Sequence, residues 1–155
     1  MKQERWTFKV EIDCHQFYLI DGGIGPPVPE TWTNEDVARR LKVDPHIVVI
    51  CPERYGVVPI ALERHDGEPM ESLDGWDHVA ECSLDLPTGQ LLVDECLGSP
   101  VAHLSLLPGS WRVRVFYGGL STITDDEFDG DDYYTVLLWP GPPCELIVLK
   151  QCPPP

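Results

Sequence analysis

Long apolar runs are missing from this sequence of 155 residues. No stretch approaches the roughly 20 consecutive apolar residues that a membrane-spanning helix needs. The first residues, Met-Lys-Gln-Glu-Arg-Trp, are charged and no apolar segment follows them, so we expect no secretory leader. The sequence therefore predicts a cytoplasmic protein without membrane contact.

Basic residues are also scarce, with 11 lysines and arginines against 26 aspartates and glutamates, for a net charge of −15. DNA and anionic membrane surfaces attract cationic proteins, so a chain this acidic is expected to be repelled by both. Residues 65–149 contain sixteen acids but only two bases, Arg112 and Arg114. Solubility alone can account for such a composition. The alternative explanation is a basic protein partner.

Closely paired cysteines are absent, and none has the two-residue spacing typical of zinc ribbons and redox motifs. The six cysteines are Cys14, Cys51, Cys82, Cys96, Cys144 and Cys152. Because no export leader is expected, we do not expect disulfides. Cys14, Cys82 and Cys144 lie in or beside strand-like runs, which predicts free thiols that fill the interior.

Catalytic motifs are missing as well. The five histidines are scattered, no His-Glu-x-x-His or Gly-x-Ser-x-Gly pattern occurs, and the glycines at 22–25 lack the Gly-Lys-Ser/Thr of a phosphate-binding loop. We therefore expect no enzyme activity, no catalytic residues, no cofactor and no dedicated metal site. A hydrolase assembled from histidines and aspartates that are distant in sequence remains an alternative.

What the sequence does contain is alternation of apolar and polar residues with a period of two, which indicates β-strands. Such runs cover residues 6–12, 14–20, 46–51, 57–63, 78–84, 90–94, 111–117, 133–139 and 145–150. Turn residues separate them, so we predict an all-β domain over residues 1–155: a β-sandwich or open barrel of about 7–9 mostly antiparallel strands. In 111–117, Trp111, Val113 and Val115 are predicted to face inward. Residues 153–155 are predicted to be a frayed tail.

One short helix, of about two to three turns, is predicted after a Gly- and Pro-rich loop at 21–29. Thr33 or Asn34 is suited to cap its N-terminus. Acidic residues at its start, Glu35 and Asp36, agree with the positive N-terminal end of the helix dipole. Basic residues at its end agree with the negative C-terminal end: Arg39, Arg40 and Lys42. Val37 and Leu41, four residues apart, predict a single apolar stripe.

The most acidic segment is 125–132, with six carboxylates: Asp125, Asp126, Glu127, Asp129, Asp131 and Asp132. Its glycine is placed as in an EF-hand loop, but Val136 occupies the position that requires a bidentate glutamate. An EF-hand is therefore excluded. A solvated turn, an adventitious cation site and a surface for an arginine- and lysine-rich partner are the remaining interpretations.

Trp76 lies in a polar turn, followed by Asp77. Exposed tryptophans often anchor protein interfaces, so this pair is a candidate secondary contact. The alternative is that Trp76 folds back over the edge of the sheet.

Two stretches resemble the bacterial competence protein J family. The first is Ile-Asp-Cys-His-Gln-Phe-Tyr-Leu at 12–19, followed by Trp32 after the Pro-rich loop; the second is Leu-Pro-Gly-Ser-Trp at 107–111, with Asp-Tyr-Tyr-Thr-Val at 132–136. The resemblance implies a small, acidic, cytoplasmic protein without enzyme activity. The family's named member inhibits a DNA-entry nuclease by binding it directly.

Acidity and resemblance together predict an inhibitor, of the immunity-protein or antitoxin type, that occludes a basic partner such as a nuclease toxin. The six acids of 125–132 are predicted to face arginines and lysines of that partner, and Trp76 and Asp77 to add a secondary contact. The alternative function is a calcium- or small-ligand-binding β-sandwich module without catalysis.

Overall fold

Two β-sheets and one short helix form the structure. The computed structural model describes residues 3–97 and 100–153. The helix α1 covers Asn34–Arg39, and a 3₁₀ turn covers Leu120–Thr122. The strands are β1 (Gln3–Ile12), β2 (Phe17–Asp21), β3 (Leu41–Asp44), β4 (Ile47–Ile50), β5 (Gly56–His65), β6 (His78–Leu86), β7 (Gln90–Glu95), β8 (Pro100–Ser105), β9 (Gly109–Gly118), β10 (Tyr133–Pro140) and β11 (Ile147–Lys150).

The strands form a six-stranded sheet in the order β1-β5-β10-β9-β6-β11 and a five-stranded sheet in the order β3-β4-β2-β7-β8. The β5–β10 pair is parallel and the other pairs are antiparallel. All nine predicted strands are present, and β3 and β8 are additional. The predicted all-β class is confirmed, in its sandwich form.

The main core lies between the sheets, because the alternating apolar residues of both sheets point into the same space. Trp111, Val113 and Val115 of β9 belong to this core, as predicted. Phe116 points to the opposite face of the six-stranded sheet, where it packs in a smaller cluster with Trp139.

Charged side chains occupy that opposite face. Glu81 of β6 accepts hydrogen bonds from Arg112 and Arg114 of β9, and the guanidinium of Arg114 lies 4.9 Å from the centroid of the Trp139 ring. Arg5 of β1 pairs in the same way with Glu63 of β5. Three of the basic residues, Arg5, Arg112 and Arg114, are thus paired with carboxylates of the sheet itself.

The helix is shorter than predicted. Thr33 caps it with a complete capping box, as expected, but Arg40 adopts a left-handed conformation with φ of 57° and ends it. Leu41 therefore belongs to β3, which pairs with β4, and Val37 is 51% exposed. The predicted apolar stripe is wrong, because the chain leaves the helix before Leu41 can align with Val37.

The expectation that all cysteines are free is also wrong, since Cys14 and Cys96 form a disulfide. The bond joins the bend after β1 to the residue that follows β7. Cys82 is fully buried and free, as predicted, and Cys144 is a free, half-buried thiol.

Of the tail predicted at 153–155, residues 154–155 lie outside the described residues. The carbonyl of Pro153 accepts a hydrogen bond of 2.8 Å from Nη2 of Arg40. In the described part of the chain, no helix has the length and apolar character needed to cross a membrane.

Candidate partner-binding surface

The acidic segment forms the connection between the 3₁₀ turn and β10. Four of its carboxylate residues, Asp125, Asp126, Asp129 and Asp131, are exposed, and the Glu127 side chain is 41% exposed. Residues 123–131 are called the acidic loop below. Five carboxylates therefore face solvent within this loop.

Hydrogen bonds inside the acidic loop fix its shape. The Thr124 amide donates to the Asp129 carbonyl at 2.9 Å. One carboxylate oxygen of Asp126 accepts from the Thr124 hydroxyl at 2.6 Å and from the Phe128 amide at 3.0 Å. The hydrogen bond from Thr124, and then that from the Phe128 amide, lower the pKa of Asp126. The loop is thus an ordered structure in which Asp126 organises the backbone.

Aromatic side chains fasten the loop to the rest of the molecule. The Tyr55 amide donates to the Glu127 carbonyl at 2.8 Å, and the Tyr55 ring stacks on Phe128 with centroids 5.4 Å apart. His15, in the bend after β1, also contacts the Tyr55 ring, with the ring centroids 4.1 Å apart. Phe128 remains 63% exposed, so the loop presents an aromatic ring among its carboxylates.

The sixth predicted acid, Asp132, belongs to the interior, where it is 1% exposed. Nε of Arg54 donates to its Oδ1 at 2.5 Å, and the Tyr134 hydroxyl donates to its Oδ2. Burial, and then the charge of Asp132, raise the pKa of Tyr134. Asp132 anchors the end of the loop and has no free surface to offer a partner.

Trp76 folds back onto the six-stranded sheet, as the alternative interpretation held. Its ring contacts Phe116 and Tyr133 with centroids 5.2 Å and 5.3 Å away. The carboxylate of Asp77 accepts a 2.8 Å hydrogen bond from the Leu120 amide, at the start of the 3₁₀ turn. Trp76 and Asp77 therefore support the base of the segment that leads into the acidic loop. Their contact with a partner stays a prediction.

A cleft of about 360 Å³ lies beside the acidic loop, and sequence analysis did not find it. Its walls come from the bend after β1, from Trp32 and Val37 at α1, from Pro52 and Glu53 after β4, and from Glu127 of the loop. These segments are far apart in sequence and share no motif. We call this feature the Trp32 cleft.

Among residues 3–97 and 100–153, no group of three or more His, Cys, Asp or Glu side chains is placed to hold a metal ion. The many carboxylates of the acidic loop thus lie near one another in sequence without forming a ligand set.

Comparison with known proteins identifies the fold. The crystal structure of ComJ from Bacillus subtilis, an inhibitor of the DNA degrading activity of NucA, superposes with a TM-score of 0.72 at 13% identity, covering 91% of this chain and 100% of that one. The product of crocagin biosynthetic gene J superposes with a TM-score of 0.58 at 18% identity, covering 92% and 100%. No protein-family model matches the sequence, and no curated protein matches it significantly. The resemblance to the competence protein J family seen in the sequence is therefore confirmed at the level of the fold.

Proposed function

We propose that this chain, which has the fold of the nuclease inhibitor ComJ, binds a basic nuclease and blocks its nucleic-acid-binding surface. The protein would act as an immunity or antitoxin-like inhibitor in the cytoplasm, without catalysis and without a cofactor. The fold likeness supports an inhibitor-like role. The choice of a basic partner rests on the acidic loop.

The proposal rests mainly on the unpaired carboxylates of this loop. Asp125, Asp129 and Asp131 are exposed, and their carboxylates have no partner among the described residues. Enzymes that act on polyanions carry arginines and lysines at their active sites, so these carboxylates can take the place of phosphates. Charge complementarity of this kind accelerates association and selects for basic partners.

The rigidity of the loop supports the same role. Binding costs conformational entropy when loops become ordered, and a loop already held in shape avoids most of that cost. The Asp126 hydrogen bonds and the Tyr55–Phe128 stack hold this loop in the free protein. Phe128 adds an exposed aromatic ring, the type of side chain that often dominates interface energies.

Two variants with the same change of charge test the proposal. The loop variant carries Asp125→Asn, Asp129→Asn and Asp131→Asn, and it spares Asp126 and Asp132 because they hold structure. The control variant carries Asp44→Asn, Asp85→Asn and Glu145→Gln, at three other exposed carboxylates. The acidic loop joins the six-stranded sheet near the His78 end of β6. Asp85 lies near the other end of this strand, so it is about 25 Å away from the loop.

The assay titrates each protein against the nucleases encoded in the same genome and follows DNA degradation. We expect the wild type and the control variant to inhibit one nuclease stoichiometrically, and the loop variant to need at least about tenfold more protein. Full inhibition by the loop variant would overturn the assignment to the acidic loop. Absence of inhibition by the folded wild type across all these nucleases would overturn the proposed function.

A further inference from the structure

We propose that the Trp32 cleft binds one lysine or arginine side chain of the basic partner, beside the contacts of the acidic loop. The inference rests on the proposed function and deepens it, because it assigns a specific side chain of the partner to a specific site. It follows from the shape of the cleft, from its balance of charges and from the carboxylate of Glu127, which has no lysine or arginine partner among the described residues.

The walls of the cleft are suited to an aliphatic stem. Trp32, Val37 and Pro52 present apolar surface, and lysine and arginine bury their methylene groups on such surface while the charged end stays near polar groups. Cys51 also lines the cleft. Burial raises the pKa of its thiol to about 12, so this side chain is uncharged at neutral pH.

The cations already present at the cleft have their own counter-ions. Arg40 donates to Glu53, to the carbonyl of Cys152 at 3.0 Å and to that of Pro153 at 2.8 Å. Lys42 lies 5.5 Å from the centroid of the Trp32 ring and pairs with Asp36 at 2.7 Å. These charges cancel pairwise, and the carboxylate of Glu127 is left without a cationic partner among the described lysines and arginines.

The carboxylate of Glu127 is the acceptor that the cleft offers to a donor. Oε2 of Glu127 lies 3.6 Å from Nε2 of His15, which is beyond hydrogen-bond distance. That histidine nitrogen is buried and has no hydrogen-bond partner in the described structure. An ammonium or guanidinium group can donate to the Glu127 carboxylate, whereas an apolar side chain would bury Glu127 uncompensated and an anion would be repelled.

Val37→Lys tests the inference by tethering a cation of this chain at the cleft. Val37 is 51% exposed on α1, so the longer side chain can be accommodated. Ile147→Lys on β11 is the matched control, because Ile147 is 52% exposed and the change of charge is the same. Glu127→Gln is the second variant; it removes the charge that would bind the incoming cation and keeps the shape of the side chain.

The readout is the dissociation constant for the nuclease that the wild type inhibits. We expect Val37→Lys and Glu127→Gln each to weaken binding at least about tenfold, and Ile147→Lys to change it less than about twofold. If the loop variant loses affinity while Val37→Lys and Glu127→Gln bind like the wild type, the cleft inference is wrong and the proposed function stands.

A second measurement tests the cleft without the nuclease. The indole N–H of Trp32 is followed by NMR during titration with N-acetyl-lysine-methylamide, and with the norleucine derivative as the uncharged control. A shift with the lysine derivative that is absent in Glu127→Gln supports the inference. Equal shifts with both compounds, or none with either, would contradict it even if no nuclease were inhibited.

Discussion

Asp131 and Asp132 are adjacent carboxylates in different surroundings. The backbone of β10 begins directly after them, and its alternation turns Asp132 inward to Arg54 and Tyr134 while Asp131 stays exposed. A buried ion pair is weak evidence of net stabilisation, but removal of one partner leaves the other charge uncompensated. Asp132 therefore has a structural role in the interior, whereas Asp131 lies exposed at the surface.

Substitution of these two residues should have very different effects on stability. We predict that Asp132→Asn lowers the free energy of unfolding by about 3–5 kcal/mol, because the buried Arg54 loses its counter-ion. Asp131→Asn should change it by less than about 0.5 kcal/mol. Urea denaturation at neutral pH measures both, and equal stabilities would show that the Arg54–Asp132 pair is not a structural contact.

His78 should make stability depend on pH. Its Nε2 lies 2.7 Å from the Arg39 carbonyl, and its Nδ1 accepts from the Cys152 amide at 3.1 Å, which is the hydrogen bonding of a neutral ring. Burial, and then the charge of Arg40, lower its pKa from 6.5 to about 4. The unfolded chain takes up the proton first as pH falls, so the stabilisation is complete above pH 6.5 and is lost as pH falls towards 4.

The prediction for His78 is tested with His78→Gln, which cannot titrate. We expect the wild type to lose more unfolding free energy than the variant between about pH 7 and about pH 5. Urea midpoints at the two pH values give the difference. An identical pH dependence of both proteins would contradict the neutral, buried histidine.

Among the elements, the strands were predictable and their exact ends were not. The nine predicted runs alternate clearly, whereas β3 has four residues and directly follows α1. The helix ends at Arg40, whose guanidinium is held by Glu53 and by the chain around Cys152, so its end depends on distant contacts. Sequence patterns carry periodicity but not such long-range contacts.

The same limit applies to the candidate surface. The acidic loop was evident from the sequence, because its carboxylates are clustered within a few residues. The burial of Asp132 and the Trp32 cleft were not predictable, since they depend on Arg54, on Val37 and on chain segments that only the folded structure brings together.

The disulfide should stabilise the five-stranded sheet by restricting the unfolded chain. Cys14 and Cys96 are 82 residues apart, and closing a loop of that length is worth about 4.5 kcal/mol in the chain-entropy description. We predict that Cys14→Ser combined with Cys96→Ser lowers the melting temperature, and that a reductant lowers that of the wild type but not that of the variant. A wild type that melts at one temperature with and without reductant would contradict this prediction. The cytoplasmic location stays a prediction, and the Cys14–Cys96 disulfide argues against it, because disulfides are rare in reducing compartments.

At the scale of the whole molecule, the distribution of charge matters more than its total of −15. Arg112, Arg114 and Arg5 are engaged on the outer face of the six-stranded sheet, and Arg40 and Arg54 are paired inside. The exposed carboxylates of the acidic loop are left unbalanced. Interactions of exposed charges are screened by salt, so binding through this loop must weaken as ionic strength rises.

The most direct test is the dissociation constant for the inhibited nuclease, measured from about 0.05 to about 0.5 M salt. We expect the affinity of the wild type and of the control variant to fall steeply and in parallel with salt. The loop variant should bind more weakly at low salt and show a flatter dependence. A loop variant with the affinity and the salt dependence of the wild type would contradict the account.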